Sequence, residues 1–177
     1  MRPYNKPMAE GPLVFDLPDS GATEALGAAL ANGFPGAGSG AIVHLRGELG
    51  SGKTTCARSL LYALGVTATV RSPTYTLVDT YSVASLTCVH VDLYRVETST
   101  EVEELGLRDM TGPGYLMLIE WPEKGGVAVP SADLNLQLVY QGDARCAALS
   151  AGTILGKAWL AKLVIDTSLA VYVSHLT

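Results

Sequence analysis

The sequence is short of charge, of cysteine and of unbroken apolar runs, and each shortage excludes something. Charged residues make up 16% against 48% apolar. A disordered chain has the opposite balance, so a folded globular chain is expected. Twelve Lys and Arg face seventeen Asp and Glu, a net charge of −5, and the basic residues form no cluster. A free-standing nucleic-acid binder carries a basic face, so strong independent binding of nucleic acid is not expected. Cys56, Cys88 and Cys146 are odd in number and widely spaced. They make neither a disulfide framework nor a zinc spacing, and read as small buried apolar residues in a reducing compartment. The opening MRPYNKPMAEGP has no apolar core of signal-peptide type. The late apolar stretch 158–176 is interrupted by Lys162 and Asp166 and falls short of a membrane span. The expected location is cytoplasmic, with no membrane contact.

At 177 residues the chain suits one domain. Residues 1–12 read as a flexible lead-in, 13–157 as the domain, and 158–177 as a C-terminal extension of unassigned role. Residues 13–17 suit an edge strand. Asp19 or Ser20 is placed to cap a helix over 22–31. The Gly-rich segment 33–40 is a loop, and 41–46 is a β run leading into a second glycine cluster. A helix follows over 53–64, stopped by Gly65. Residues 70–81 read as a loop and then a strand, 86–93 as a strand ending at Asp92, and 100–105 as a short acidic helix. Residues 115–119 are nearly all apolar, as in a strand covered on both faces, and end at Glu120. Residues 134–140 alternate like a half-exposed strand, with 143–150 as a hairpin partner across Gln141 and Gly142. Helices and strands interleave early and strands dominate late. The expected class is α/β, a mixed, mostly parallel central sheet flanked by helices.

Gly47, Gly52, Lys53 and Thr54 meet the pattern G-x-x-x-x-G-K-[ST], and Glu48, Leu49, Gly50 and Ser51 fill its variable positions. Each residue type has a reason. Glycines let main-chain N–H groups turn inward on phosphate oxygens. The helix that follows points its positive end at the same anions. The lysine reaches the β- and γ-phosphates, and the threonine hydroxyl serves magnesium. A β run before and a helix after complete the context of a P-loop. Other absences then narrow the class. There is no Asn-Lys-x-Asp motif, so a Ras-like GTPase is disfavoured. There is no Leu-Ser-Gly-Gly-Gln segment, so a transporter ATPase is disfavoured. No arginine-rich lid stands out, which weakens a small-molecule kinase.

A P-loop enzyme needs an acid at the end of a neighbouring strand. Asp92 and Glu120 are the candidates, one for the metal and one to orient a water, in either assignment. Thr74 and Thr76 lie in a polar loop where a hydroxyl can sense the γ-phosphate, or they belong to a plain turn set by Pro73. Trp121 reads as core or rim packing, or as a platform for a base. His44, His90 and His175 have no metal spacing and read as structural. Arg71, Arg95, Arg108 and Arg145 are scattered and read mainly as surface residues.

The runs GELGSGKTT (47–55), SPTYTLV (72–78), HVDLYR (90–95), EELG (103–106) and IEWP (119–122), in this order, resemble the TsaE family, formerly called YjeE. The likeness spans roughly residues 13–150. It implies a P-loop fold with a mixed seven-stranded sheet and a weak, magnesium-dependent ATPase. That ATPase serves threonylcarbamoyladenosine formation at position 37 of tRNA beside the TsaD–TsaB pair, and meets tRNA only indirectly. By position it implies that Lys53, Thr54 and Thr55 bind phosphate and that Thr54, Asp92 and Glu120 serve magnesium. It makes Thr74 a switch-like catalytic threonine and puts Trp121 beside the site. It also places Ser20 and Arg145 near the nucleotide. Two rival readings stand beside it: a small-molecule kinase of the P-loop class, and a nucleotide-dependent binding switch.

Overall fold

Alternation along two strands decides where the chemistry of this chain collects. In β4 (Leu86–Asp92) and β5 (Tyr115–Glu120) successive side chains point to opposite faces. Cys88, His90 and Asp92 therefore share one face with Leu116, Leu118 and Glu120. Val89, Val91, Met117 and Ile119 share the other. The two strands are parallel, and the register sets Asp92 directly beside Glu120 at their carboxyl ends. The computed structural model describes residues 11–174 of the chain. Expectations for residues 1–10 and for His175 lie outside the described residues.

Five further strands complete the sheet: β1 (Leu13–Leu17), β2 (Ala41–Arg46), β3 (Val78–Val83), β6 (Leu134–Gln141) and β7 (Ala144–Ala151). The order is β1-β7-β6-β2-β5-β4-β3. The parallel pairs are β6 with β2, β2 with β5, and β5 with β4. The antiparallel pairs are β1 with β7, β7 with β6, and β3 with β4. The expectation of a mostly parallel sheet is thereby corrected: the parallel ladder is a central block, flanked on both sides by antiparallel strands. The cause lies in two short hairpins. Gln141 pairs with Ala144 across Gly142-Asp143, and Val83 pairs with Leu86 across Ala84-Ser85. Gly142 and Ala84 both take the left-handed backbone that two-residue hairpins require, at φ 63° and 50°.

Helices α1 (Ser20–Gly33), α2 (Lys53–Ala63) and α4 (Ile154–Val164) cover one face, with α3 (Ser99–Glu104) and short 3₁₀ turns on the other. Asp19 caps α1 by accepting from the Ala22 N–H at 2.8 Å. Helices α1 and α2 lie close because Gly27 faces the Cys56 carbonyl, where an added Cβ would stand only 2.4 Å away. The main core is built from residues such as Leu26, Leu30, Leu60, Leu118 and Leu136. No helix of the described residues is long and apolar enough to cross a membrane.

The division expected at 157/158 falls inside α4. Trp159 is fully buried, donates from Nε1 to the Leu30 carbonyl at 2.9 Å and meets the Phe34 ring at 5.5 Å. Further on, the Asp16 N–H donates to the Tyr172 carbonyl and the Ser174 N–H to the Val14 carbonyl. The described part of the tail thus fills the core and pairs with the open side of β1, an edge that would otherwise be free to template other chains. Trp159→Ala is expected to cost about 3–5 kcal/mol, read as a fall in ΔG of unfolding by denaturant titration.

His44, in β2, is buried and donates from Nε2 to the Pro130 carbonyl at 2.9 Å. Burial holds its pKa below the ordinary 6.5, partly offset by that carbonyl. As pH falls through 6.5 the unfolded chain takes up the proton first, so stability present above that pH drains away as pH falls toward the folded value. His44→Gln is expected to flatten the stability–pH curve in that window, followed by urea midpoints at stepped pH.

Candidate nucleotide site

The loop between β2 and α2 is shaped by its glycines. Gly47 has φ 139°, and a Cβ there would stand 2.3 Å from the Leu138 carbonyl oxygen. Gly52 occupies the N-cap of α2 at φ 108°, a left-handed value, and no side chain caps the helix. The first N–H groups of α2 have no side-chain cap and are left to whatever lies ahead of them, as in a candidate anion site. Lys53 bends back under the loop. Its Nζ donates to the carbonyls of Gly47 at 2.7 Å and Glu48 at 2.8 Å, and lies 4.0 Å from the centre of the Trp121 ring. Burial lowers the lysine pKa from its ordinary 10.5, while the Glu120 and Asp92 carboxylates push it back up.

Thr54, the next residue, donates its hydroxyl to Glu120, 2.9 Å from each carboxylate oxygen. The hydroxyl's one proton is thereby committed, and its lone pairs remain for another partner. Asp92 is tied differently. Its Oδ1 accepts from the Tyr94 N–H at 2.9 Å, and its Oδ2 accepts from the hydroxyls of Thr74, at 2.9 Å, and Ser72. Lys53, Asp92 and Glu120 are 4%, 3% and 2% exposed. Two buried carboxylates against one ammonium leave negative charge in a place where unpaired charge is costly.

These side chains line one cavity of about 280 Å³ with Gly50, Gly52, Thr55 and Trp121. A smaller recess of about 120 Å³ adjoins it, lined by Ser20, Thr23, Gly50, Gly52, Thr55 and Arg145. The Arg145 guanidinium lies over the Tyr140 ring, and the Tyr140 hydroxyl donates to the Leu49 carbonyl at 3.0 Å. On the other side of the loop an open cleft of about 500 Å³ is lined by Gly47, Glu48, Leu49, Tyr94, Trp121 and the Arg46–Glu123 ion pair. Of the loop residues, Ser51 is fully buried, with a hydroxyl that finds no partner. Thr76 is not part of the cavity; it donates to Asp79 at 3.1 Å. Arg95 lies over Tyr75 and Arg108 donates to the Val127 carbonyl. Trp121 sits at the rim of the cavity. It has φ 58° and meets Tyr94 with ring centres 5.1 Å apart. Left-handed backbone in a bulky residue costs energy and collects at functional sites.

Three residues of the site were not foreseen as such. Ser72 and Tyr94 hold Asp92. His90 is fully buried, and its Nε2 lies 2.9 Å from Glu120 Oε1. The strand alternation that puts His90 on the same face as Asp92 is the signal that would have found it.

The donor set is one of hard oxygens: the Thr54 hydroxyl and two carboxylates. That fits magnesium, which takes one or two carboxylates and fills the rest of its shell with water and phosphate oxygens. Among the described residues no group of three or more His, Cys, Asp or Glu forms a self-sufficient metal cage. Thiol chemistry is disfavoured, since burial pushes Cys56 up to about 12, with Glu120 adding to it, and Cys88 to about 11.

A β-strand, a glycine loop and a helix set in a mixed sheet between helices define an α/β protein of the P-loop type. The family described as threonylcarbamoyl adenosine biosynthesis protein TsaE matches residues 17–147, and the chain belongs to that family. A Haemophilus influenzae protein named tRNA threonylcarbamoyladenosine biosynthesis protein TsaE is 45% identical over 116 residues, 66% of this chain and 73% of its own length. Among solved structures, YdiB of Bacillus subtilis aligns with a TM-score of 0.68 at 25% identity. That alignment covers 86% of this chain and 94% of that one.

Trp121 and Trp159 are the two tryptophans of the sequence. Only Trp121 lines the cavity. Filling the cavity with ADP is expected to change tryptophan emission in Trp159→Phe and not in Trp121→Phe, checked by fluorescence titration.

Proposed function

We propose that this chain binds ATP with magnesium on residues 47–55 and hydrolyses it slowly, as an accessory to threonylcarbamoyladenosine formation at position 37 of tRNA. Its partners on this reading are the TsaD–TsaB pair, and it meets tRNA through them. The observation that carries the reading is the convergence of the glycine loop, Lys53, Thr54, Asp92 and Glu120 on one cavity in a chain of the TsaE family.

Catalysis here is positioning and charge neutralisation. Main-chain N–H groups of the loop and the start of α2 grip the phosphate oxygens. Lys53 exchanges its two loop carbonyls for the β- and γ-phosphates. Magnesium, when bound, neutralises charge on those phosphates. Glu120 holds the Thr54 hydroxyl with its lone pairs free for that ion. Asp92 accepts a hydrogen bond from the attacking water, whose oxygen bonds to the γ-phosphorus as the bridging P–O bond breaks. Ser72 and Thr74 hold Asp92 and join its loop to the phosphate end. Ser20 and Arg145, in the adjoining recess, face the remainder of the nucleotide.

Among the described residues no arginine lines the cavity that holds Thr54, Asp92 and Glu120. The isolated chain is therefore expected to turn over slowly and to speed up when TsaD–TsaB docks, with hydrolysis resetting the partner between rounds. Co-purification with TsaD–TsaB, with and without ATP, tests the partnership: ATP-dependent retention supports it, and no retention in either condition removes it. Lys53→Ala is expected to weaken ATP roughly 10–100-fold, the worth of a charge-assisted contact. Unchanged affinity by calorimetry would contradict the placement of the phosphates. Asp92→Asn and Glu120→Gln separate an ATPase from a pure binding switch, which would keep its function wherever ATP still binds.

A further inference from the structure

His90 is the one histidine of the described residues in contact with the site acids, and its geometry is unusual for a packing residue. The side chain is fully buried in β4, on the face that also carries Cys88 and Asp92. The neighbouring strand offers Leu116 and Leu118 on that face, so an apolar side chain would suit the surroundings. Instead the position holds a polar ring. Its Nε2 sits 2.9 Å from Glu120 Oε1, and its Nδ1 is buried with no hydrogen-bond partner. A carboxylate offers no proton, so Nε2 carries the hydrogen and donates it. One nitrogen is spent on Glu120 and the other is left bare. Buried polar atoms without partners are few, and each calls for a reason.

The reason lies in what Glu120 does. Its two oxygens share a single proton from Thr54. That bond alone leaves the carboxylate free to pivot about its own axis. The bond from His90 enters from the strand side and fixes Oε1. Glu120 is then held between a helix hydroxyl and a strand imidazole, its orientation set before any ligand arrives. We propose that His90 is a positioning residue that orients Glu120, and through it the Thr54 hydroxyl, for a divalent cation bound with the nucleotide. This rests on the ATP–magnesium reading of the site.

Outer-shell partners of metal-binding carboxylates are worth roughly 10–100-fold in metal affinity when removed. His90→Leu in the full chain is therefore expected to raise the magnesium concentration for half-maximal ADP binding by roughly that factor, with ADP binding in EDTA unchanged. His90→Gln, whose amide nitrogen reaches the place of Nε2, recovers most of the loss. A purely structural role would move neither the metal dependence alone nor the rescue. A folded His90→Leu chain with the original magnesium midpoint overturns the proposal. Should that variant fail to fold, ¹⁵N-histidine spectra of the unsubstituted chain decide. The His90 Nε2–H resonance is expected to shift with ADP and magnesium but not with ADP in EDTA, and identical spectra in both conditions overturn the proposal. An unsubstituted chain that takes up no ADP in either condition overturns the nucleotide reading and this proposal together. Normal uptake with an indifferent His90→Leu overturns this proposal alone.

Discussion

Two carboxylates and an ammonium packed almost out of water at one edge of a sheet are the constraint around which this molecule is arranged. Asp92 and Glu120 sit side by side because β4 and β5 run parallel in a register that pairs them. Lys53 faces both because α2 begins where β2 ends, one glycine loop away. Burying three charges is tolerable only if each is held by hydrogen bonds. Much of the nearby structure supplies those bonds: Ser72, Thr74 and the Tyr94 N–H for Asp92, Thr54 and His90 for Glu120, and two loop carbonyls for Lys53. On the proposed reading, a polyphosphate with a hard cation would complete this arrangement, bringing a cation to the acids and an anion to Lys53 and the helix end.

The rest of the fold is packed around that edge. The parallel block of β6, β2, β5 and β4 places the carboxyl ends of its strands together, where ligands of open α/β sheets bind. Helix α1 braces α2 through the close contact at Gly27. Trp159, reaching from α4 to the Leu30 carbonyl, braces α1 in turn. The tail that seemed separable from the domain is thus two contacts removed from the phosphate loop.

Most of the fold was legible because its signals are local. Asp19 before a helical run, Gly65 after one, the β-rich run at 86–91 and the apolar stretch at 115–119 report their own structure. Helix α4 was missed because apolar residues surround it. Ile154 is 86% and Val164 58% exposed while Trp159 is buried, so exposed apolar residues interrupt the face that Lys157 and Lys162 mark. The balance of the sheet was misjudged partly because the Ala84-Ser85 hairpin carries no Gly or Asn at its turn. At the site, the loop and the two acids stood out because motif and strand end coincide. Alternation along β4 puts His90 on the face of Asp92, but its partner Glu120 follows only from the β4–β5 register, and the hold of Ser72 on Asp92 follows only from the path of a loop twenty residues away in sequence. Trp121 was ambiguous for a related reason: its left-handed backbone turns the ring toward Lys53, and residue type alone does not announce that turn.

The most direct measurement is calorimetric titration of ADP into the full chain, with magnesium and with the metal chelated. The account predicts one nucleotide bound per chain, more tightly when magnesium is supplied. Absence of heat and of uptake in both titrations would contradict it, because the loop, the helix end and Lys53 would then have no anion to hold.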